Sequence, residues 1–122
     1  MNTWIGLGRL VSDPETNYTQ QGKVYVKFTI AINRIYKNAE GGYDVDFIDC
    51  IAWGQAAETI GKYVHKGQRL LVEGTLNINN YEGKDGVTRR SSIITVKTFH
   101  FIEKVEDAAF TEDMGKVIDG LM

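Results

Sequence analysis

Four aromatic side chains, Tyr36, Phe47, Trp53 and Tyr81, stand among basic residues: Arg34 and Lys37 flank Tyr36, and Lys84, Arg89 and Arg90 follow Tyr81. Rings offer flat faces on which unpaired bases stack, and guanidinium and ammonium groups meet phosphates. The interleaving therefore suits a single strand of nucleic acid, because a paired duplex hides its ring faces. Stacking is worth about 1–3 kcal/mol per base, so four platforms supply about 4–12 kcal/mol before ordering costs are subtracted. That is enough to bind without base-specific hydrogen bonds, and weak sequence preference is the expectation. Lys66 is a further candidate for backbone contact.

Other chemistry has less support. Asp44, Asp46 and Asp49 crowd the stretch "DVDFID", but on a regular strand the first two face one side and the third the other, so they do not converge as hard-metal ligands would. His65 and His100 are far apart and adjoin no cysteine motif or paired carboxylate, and there is no Gly-rich phosphate loop. No catalytic residue, metal or cofactor is expected. Two alternatives stay open: a nuclease-like enzyme on the same architecture, and a protein-interaction module whose aromatic groove meets no bases.

These side chains need a scaffold that presents both faces of one strand to something apolar. In "YDVDFIDCIAWG", residues 43 to 54, Ile48, Cys50 and Ala52 alternate with Phe47, Ile51 and Trp53, so both faces are apolar. Compact residues suit the inside of a small barrel, and Phe47 and Trp53 then project from its outer face. Upstream, "NTWIGLGRLV" reads as a first strand closed by the turn "SDPE". "KVYVKFTIAIN" sets Val24, Val26, Phe28, Ile30 and Ile32 at strict period two as the second strand.

"GQAAETIGKYVHKG" places Ala56, Ala57, Ile60, Tyr63 and Val64 on one helical face, with Gly67 as the stop. "QRLLVEGTLNINNY" and "TRRSSIITVKTFHFI" return to strand patterns around the hairpin loop "EGKDG". Three strands, a helix and two strands is the element order of an OB-fold: an all-β chain with one helix, forming a five-stranded, partly open Greek-key barrel. Its external groove, on the middle strands, receives Phe47 and Trp53, with Tyr36 and Tyr81 at the lips of the two hairpins. Tyr18, Tyr25, Phe28, Tyr63, Phe99 and Phe101 are assigned to core or surface packing, and Trp4 to packing of the first strand or a subunit contact.

A chain of 122 residues and 13.7 kDa fits one domain that buries its core without staples. There is no signal-peptide pattern and no membrane-length apolar run, and Cys50 is the single cysteine, so the expected compartment is the cytoplasm. The formal net charge of −2 is unevenly distributed. Residues 1 to 102 hold 12 Lys and Arg against 10 Asp and Glu, whereas residues 103 to 122 hold 2 against 6. A mildly basic body thus carries an acidic tail.

Over roughly residues 2 to 103 the chain resembles the bacterial single-stranded DNA-binding protein family. "GRLVSDPE", "FTIAINR", "CIAWGQAAE", "YVHKGQRLLVEGTL" and "YEGKDG" occur in the family's order and spacing. The resemblance implies an OB-fold over 1–104 that binds single-stranded DNA during replication, recombination and repair. It implies stacking on Tyr36, Phe47, Trp53 and Tyr81, and a homotetramer with the first strand at a subunit contact.

Two departures stand out. "LNINNY" lacks the basic residues that many relatives carry before Tyr81, so the expected phosphate contact there is either weaker or shifted to Arg89 and Arg90. There is no proline after Pro14, so recruitment of protein partners through the family's acidic Pro-Phe tip is not carried over. In the tail, residues 105 to 122, Phe110, Met114, Val117, Ile118 and Leu121 recur at helical spacing, which predicts a short amphipathic helix, the alternative being a frayed, solvated end.

Overall fold

A computed structural model of the chain describes residues 1–102, and the expected tail helix and the boundary at 104 lie outside them. In chain order the elements are β1 (Trp4–Leu10), β2 (Glu15–Tyr18), β3 (Val24–Lys37), β4 (Tyr43–Trp53), α1 (Gly54–Tyr63), β5 (Arg69–Glu82) and β6 (Thr88–Phe101). The sheet order is β1-β5-β6-β4-β3-β2, with β1 also pairing to β3 at Arg9–Ala31 and Leu10–Ile30. That second pairing closes five long strands into a barrel. β4 and β6 meet in parallel at Cys50–Ile94 and Ile51–Thr95, while the other pairs are antiparallel. This is the OB-fold expected from the element order.

Period-two patterning explains the barrel wall. Val26, Phe28 and Ile30 of β3, Cys50 and Ala52 of β4, Leu70 and Val72 of β5, and Ile94 of β6 are all buried, while Lys27 and Phe47 point outward. Ala57 and Ile60 of α1 and Val64 just beyond it complete the same core, with Ala56 and Tyr63 packed against it, the helical face read from spacing. Gly67 is not the helix stop. Val64 caps α1 in an extended conformation, and Gly67, at φ +87°, lies in a following turn whose N–H donates to the Leu10 carbonyl.

β2 was not visible in the pattern. "ETNY" is polar and largely exposed, and it is a strand because Val24–Lys27 of β3 need backbone partners where β1 does not cover them. From Trp4 to Gly8, β1 pairs with β5 on one side only, with Ile5 and Leu7 exposed and Trp4 packed against the core. At Gly74 the backbone of β5 comes so close to the Thr95 carbonyl of β6 that a Cβ would collide with it, and the register shifts by a bulge at this point.

Among the described residues the buried core holds one titratable group, Cys50. Burial, with the nearby Asp49 charge, pushes the Cys50 thiol from 9.0 up to about 12. The folded state keeps this proton after the unfolded chain has lost it, so stability falls as pH rises from 9 toward 12, by at most about 1.4 kcal/mol per pH unit. Denaturant unfolding at pH 8 and pH 10 should therefore show an alkaline loss about 1 kcal/mol larger in the native chain than in Cys50→Ala. Equal losses would refute this role for the thiol.

Candidate nucleic-acid interface

The outward parity of β4 carries Val45, Phe47, Asp49, Ile51 and Trp53, and the register sets Asn33, Ala31, Thr29, Lys27 and Tyr25 of β3 opposite them. The face continues across Ile51–Thr95 onto β6 and across Asn77–Ile93, Asn79–Ser91 and Tyr81–Arg89 onto β5. Phe47 is 65% exposed, Trp53 44% and Tyr81 49%. Three of the four expected platforms thus lie on one continuous outer surface.

Tyr36 is 80% exposed on the β3–β4 hairpin. It falls between Asn33–Val45 and Lys37–Tyr43, where four steps along β3 match two along β4. The irregularity, not strand parity, therefore sets its direction. The same register puts the half-exposed Tyr43 opposite Lys37.

Trp53 is held from two sides. Gly54, at φ +64°, takes the left-handed conformation that turns β4 directly into α1, and Trp53 remains extended as the helix N-cap without a side-chain cap bond. Its cross-strand partner Tyr25 lies 5.2 Å away between ring centroids, tilted by 41°. Tyr25 is thus part of this surface. Counting the hairpin register back from Trp53 would have found it, whereas its own neighbourhood in sequence gave no signal.

The cations separate into two groups. Arg34 forks onto Asp46, with Nε donating to Oδ2 at 3.1 Å and Nη2 to Oδ1 at 3.0 Å. This pairing raises the guanidinium pKa and holds the Asp46 carboxyl below its usual range. Arg89, at the start of β6, donates to Asp85 of the β5–β6 loop at 2.8 Å, and Asp85 is held low first by the Val87 N–H and then by Arg89. Lys37, Lys66, Lys84 and Arg90 are exposed, and among the described residues their side chains make no ion pair. Lys66 sits in the turn after α1, its backbone N–H donating to Asp13 at 2.7 Å.

The three acids of β4 have separate partners: Asn38 for Asp44, Arg34 for Asp46 and Thr29 for Asp49. Beside Thr29 and Asp49 an open recess of about 550 Å³ is walled by Glu15 and Asn17 of β2, Lys27 of β3 and Ile93 of β6.

A family model described as the single-strand binding protein family matches residues 1–102. The chain belongs to this family. Among curated members, "Single-stranded DNA-binding protein 3" of Listeria innocua is 37% identical over 109 residues, 89% of this chain and 68% of that protein. The Bacillus cereus "Single-stranded DNA-binding protein" is 38% identical over 84% of this chain, which spans 61% of the relative. The Streptococcus pyogenes "Single-stranded DNA-binding protein 1" is 32% identical over 93% of this chain and 88% of its own length. Family membership thus covers the whole barrel and both hairpin arms.

Proposed function

We propose that the chain binds single-stranded DNA without marked sequence preference and protects it during replication, recombination and repair, with no chemical step. Bases stack on Tyr36, Phe47, Trp53 and Tyr81, and phosphates meet Lys37, Lys66, Lys84 and Arg90, with Arg34 and Arg89 available once they leave their carboxylates. The observation that carries this reading is the set of four exposed rings around a barrel face that a soluble domain has no packing reason to leave open. A cytoplasmic, nucleoid-associated role is part of this proposal; among the described residues no helix is long and apolar enough to cross a membrane.

Titration with poly-dT at several salt concentrations, following tryptophan emission, tests the reading. Trp53 should be quenched as a base stacks on it. Four unpaired cations at about −0.7 each give a log–log salt slope of about −3, whereas engagement of all six gives about −4. With the shallower slope, a fourfold rise in salt weakens binding by about fiftyfold. A flat salt response with unchanged emission would exclude single-strand binding and leave a protein-interaction module. A slope near −4 would show that Arg34 and Arg89 exchange carboxylate for phosphate.

Assembly into a homotetramer fits the same picture. The one-sided pairing of Trp4–Gly8 and the outward Ile5 and Leu7 make β1 a ready template for a second copy.

A further inference from the structure

Asp49 occupies the middle of the outward row of β4, two residues from Phe47 and four from Trp53. A carboxylate there repels the phosphates that neighbouring cations attract. Lys27 lines the same recess, but among the described residues no Lys or Arg lies within ion-pair distance of Asp49. Its hydrogen bond comes from across the β3–β4 pair, the Thr29 hydroxyl donating to Oδ1 at 2.8 Å. Thr29 thereby fixes the rotation of the carboxylate and leaves Oδ2 available at the recess that both residues line.

We propose that Asp49 reads the base stacked beside Phe47 and favours guanine. Same-face residues on a strand are about 6.6 Å apart, a distance over which the edge of a base on Phe47 reaches the next side chain. An ionised carboxylate only accepts hydrogen bonds. Guanine presents N1–H and N2–H₂ side by side and matches Oδ2 together with the lone pair of Oδ1 that Thr29 leaves open. Adenine and cytosine offer one amino group beside a ring-nitrogen acceptor, and thymine offers one N–H between two carbonyl oxygens that oppose the carboxylate. The inference rests on the single-strand reading and refines it: a face that tolerates any base at its rings discriminates at one position.

The test uses the full chain and oligo-dT strands in which one dT is replaced by dG, dC or dA. A strand slides until its guanine finds the position, so one dG should tighten binding by about fivefold, the low end for a bidentate contact because Asp49 is exposed. Asp49→Asn keeps the shape and the Thr29 contact but loses the paired acceptors. It should abolish the dG gain and bind plain oligo-dT more tightly, with an unchanged thermal unfolding profile. Absence of a dG gain in the native chain, or its survival in Asp49→Asn, would overturn the assignment while leaving single-strand binding intact. Failure of the native chain to bind oligo-dT with or without dG would instead remove the single-strand reading, and this inference with it.

Discussion

Phe28→Ala is expected to lower the unfolding free energy by about 3–5 kcal/mol while leaving the folded protein's affinity for poly-dT unchanged. Phe28 is 5% exposed, faces Cys50 across the β3–β4 pair and lies inside the barrel with Val26 and Ile30. Removing its ring leaves a cavity that the strand backbones cannot collapse to fill, because β3 is laddered to β4 at this position and to β2 and β1 just before and after it. The outward residues of the same strands are untouched. Denaturant unfolding measures the loss, and a titration under strongly native conditions checks that binding survives. A variant that unfolds like the native chain would place Phe28 outside the core.

Trp53→Ala should show the opposite pattern, with binding weakened by about 1–3 kcal/mol and a smaller cost in stability. That smaller cost is about 1 kcal/mol, from the lost ring pair with Tyr25. The helix start is unaffected, since Trp53 caps α1 with its backbone and Gly54 makes the turn. Fluorescence anisotropy with labelled oligo-dT measures the first effect and thermal unfolding the second. If the variant unfolds before it loses affinity, the ring is a barrel cap and not a stacking platform.

The contrast between these two residues was legible in the sequence because both lie on regular strands, where period two assigns Phe28 and Trp53 to opposite sides of the wall. The barrel, the helix between the third and fourth long strands and the outward course of Phe47 followed from the same rule. What escaped depends on partners distant in the chain. β2 has no apolar pattern and exists through its pairing with β3. The direction of Tyr36 is set by the irregular register between Asn33 and Lys37, which no count along β3 alone reveals. The partner of Arg34 is set by the hairpin register, which places Asp46, twelve residues away, against its guanidinium. Helix termination at Tyr63 rather than near Gly67 is likewise decided by Val64, which turns into the core and leaves the helical path.

The half-paired edge of β1 has a consequence for any measurement of this protein. If a second copy supplies the missing ladder along Trp4–Gly8, folding and association share one equilibrium, and the barrel has no melting temperature independent of concentration. Each tenfold dilution then subtracts about 1.4 kcal/mol per association step from the apparent stability. A DNA strand long enough to gather several copies would restore it by raising their local concentration, so the nucleic acid would act on this fold as a concentrating agent as well as a ligand.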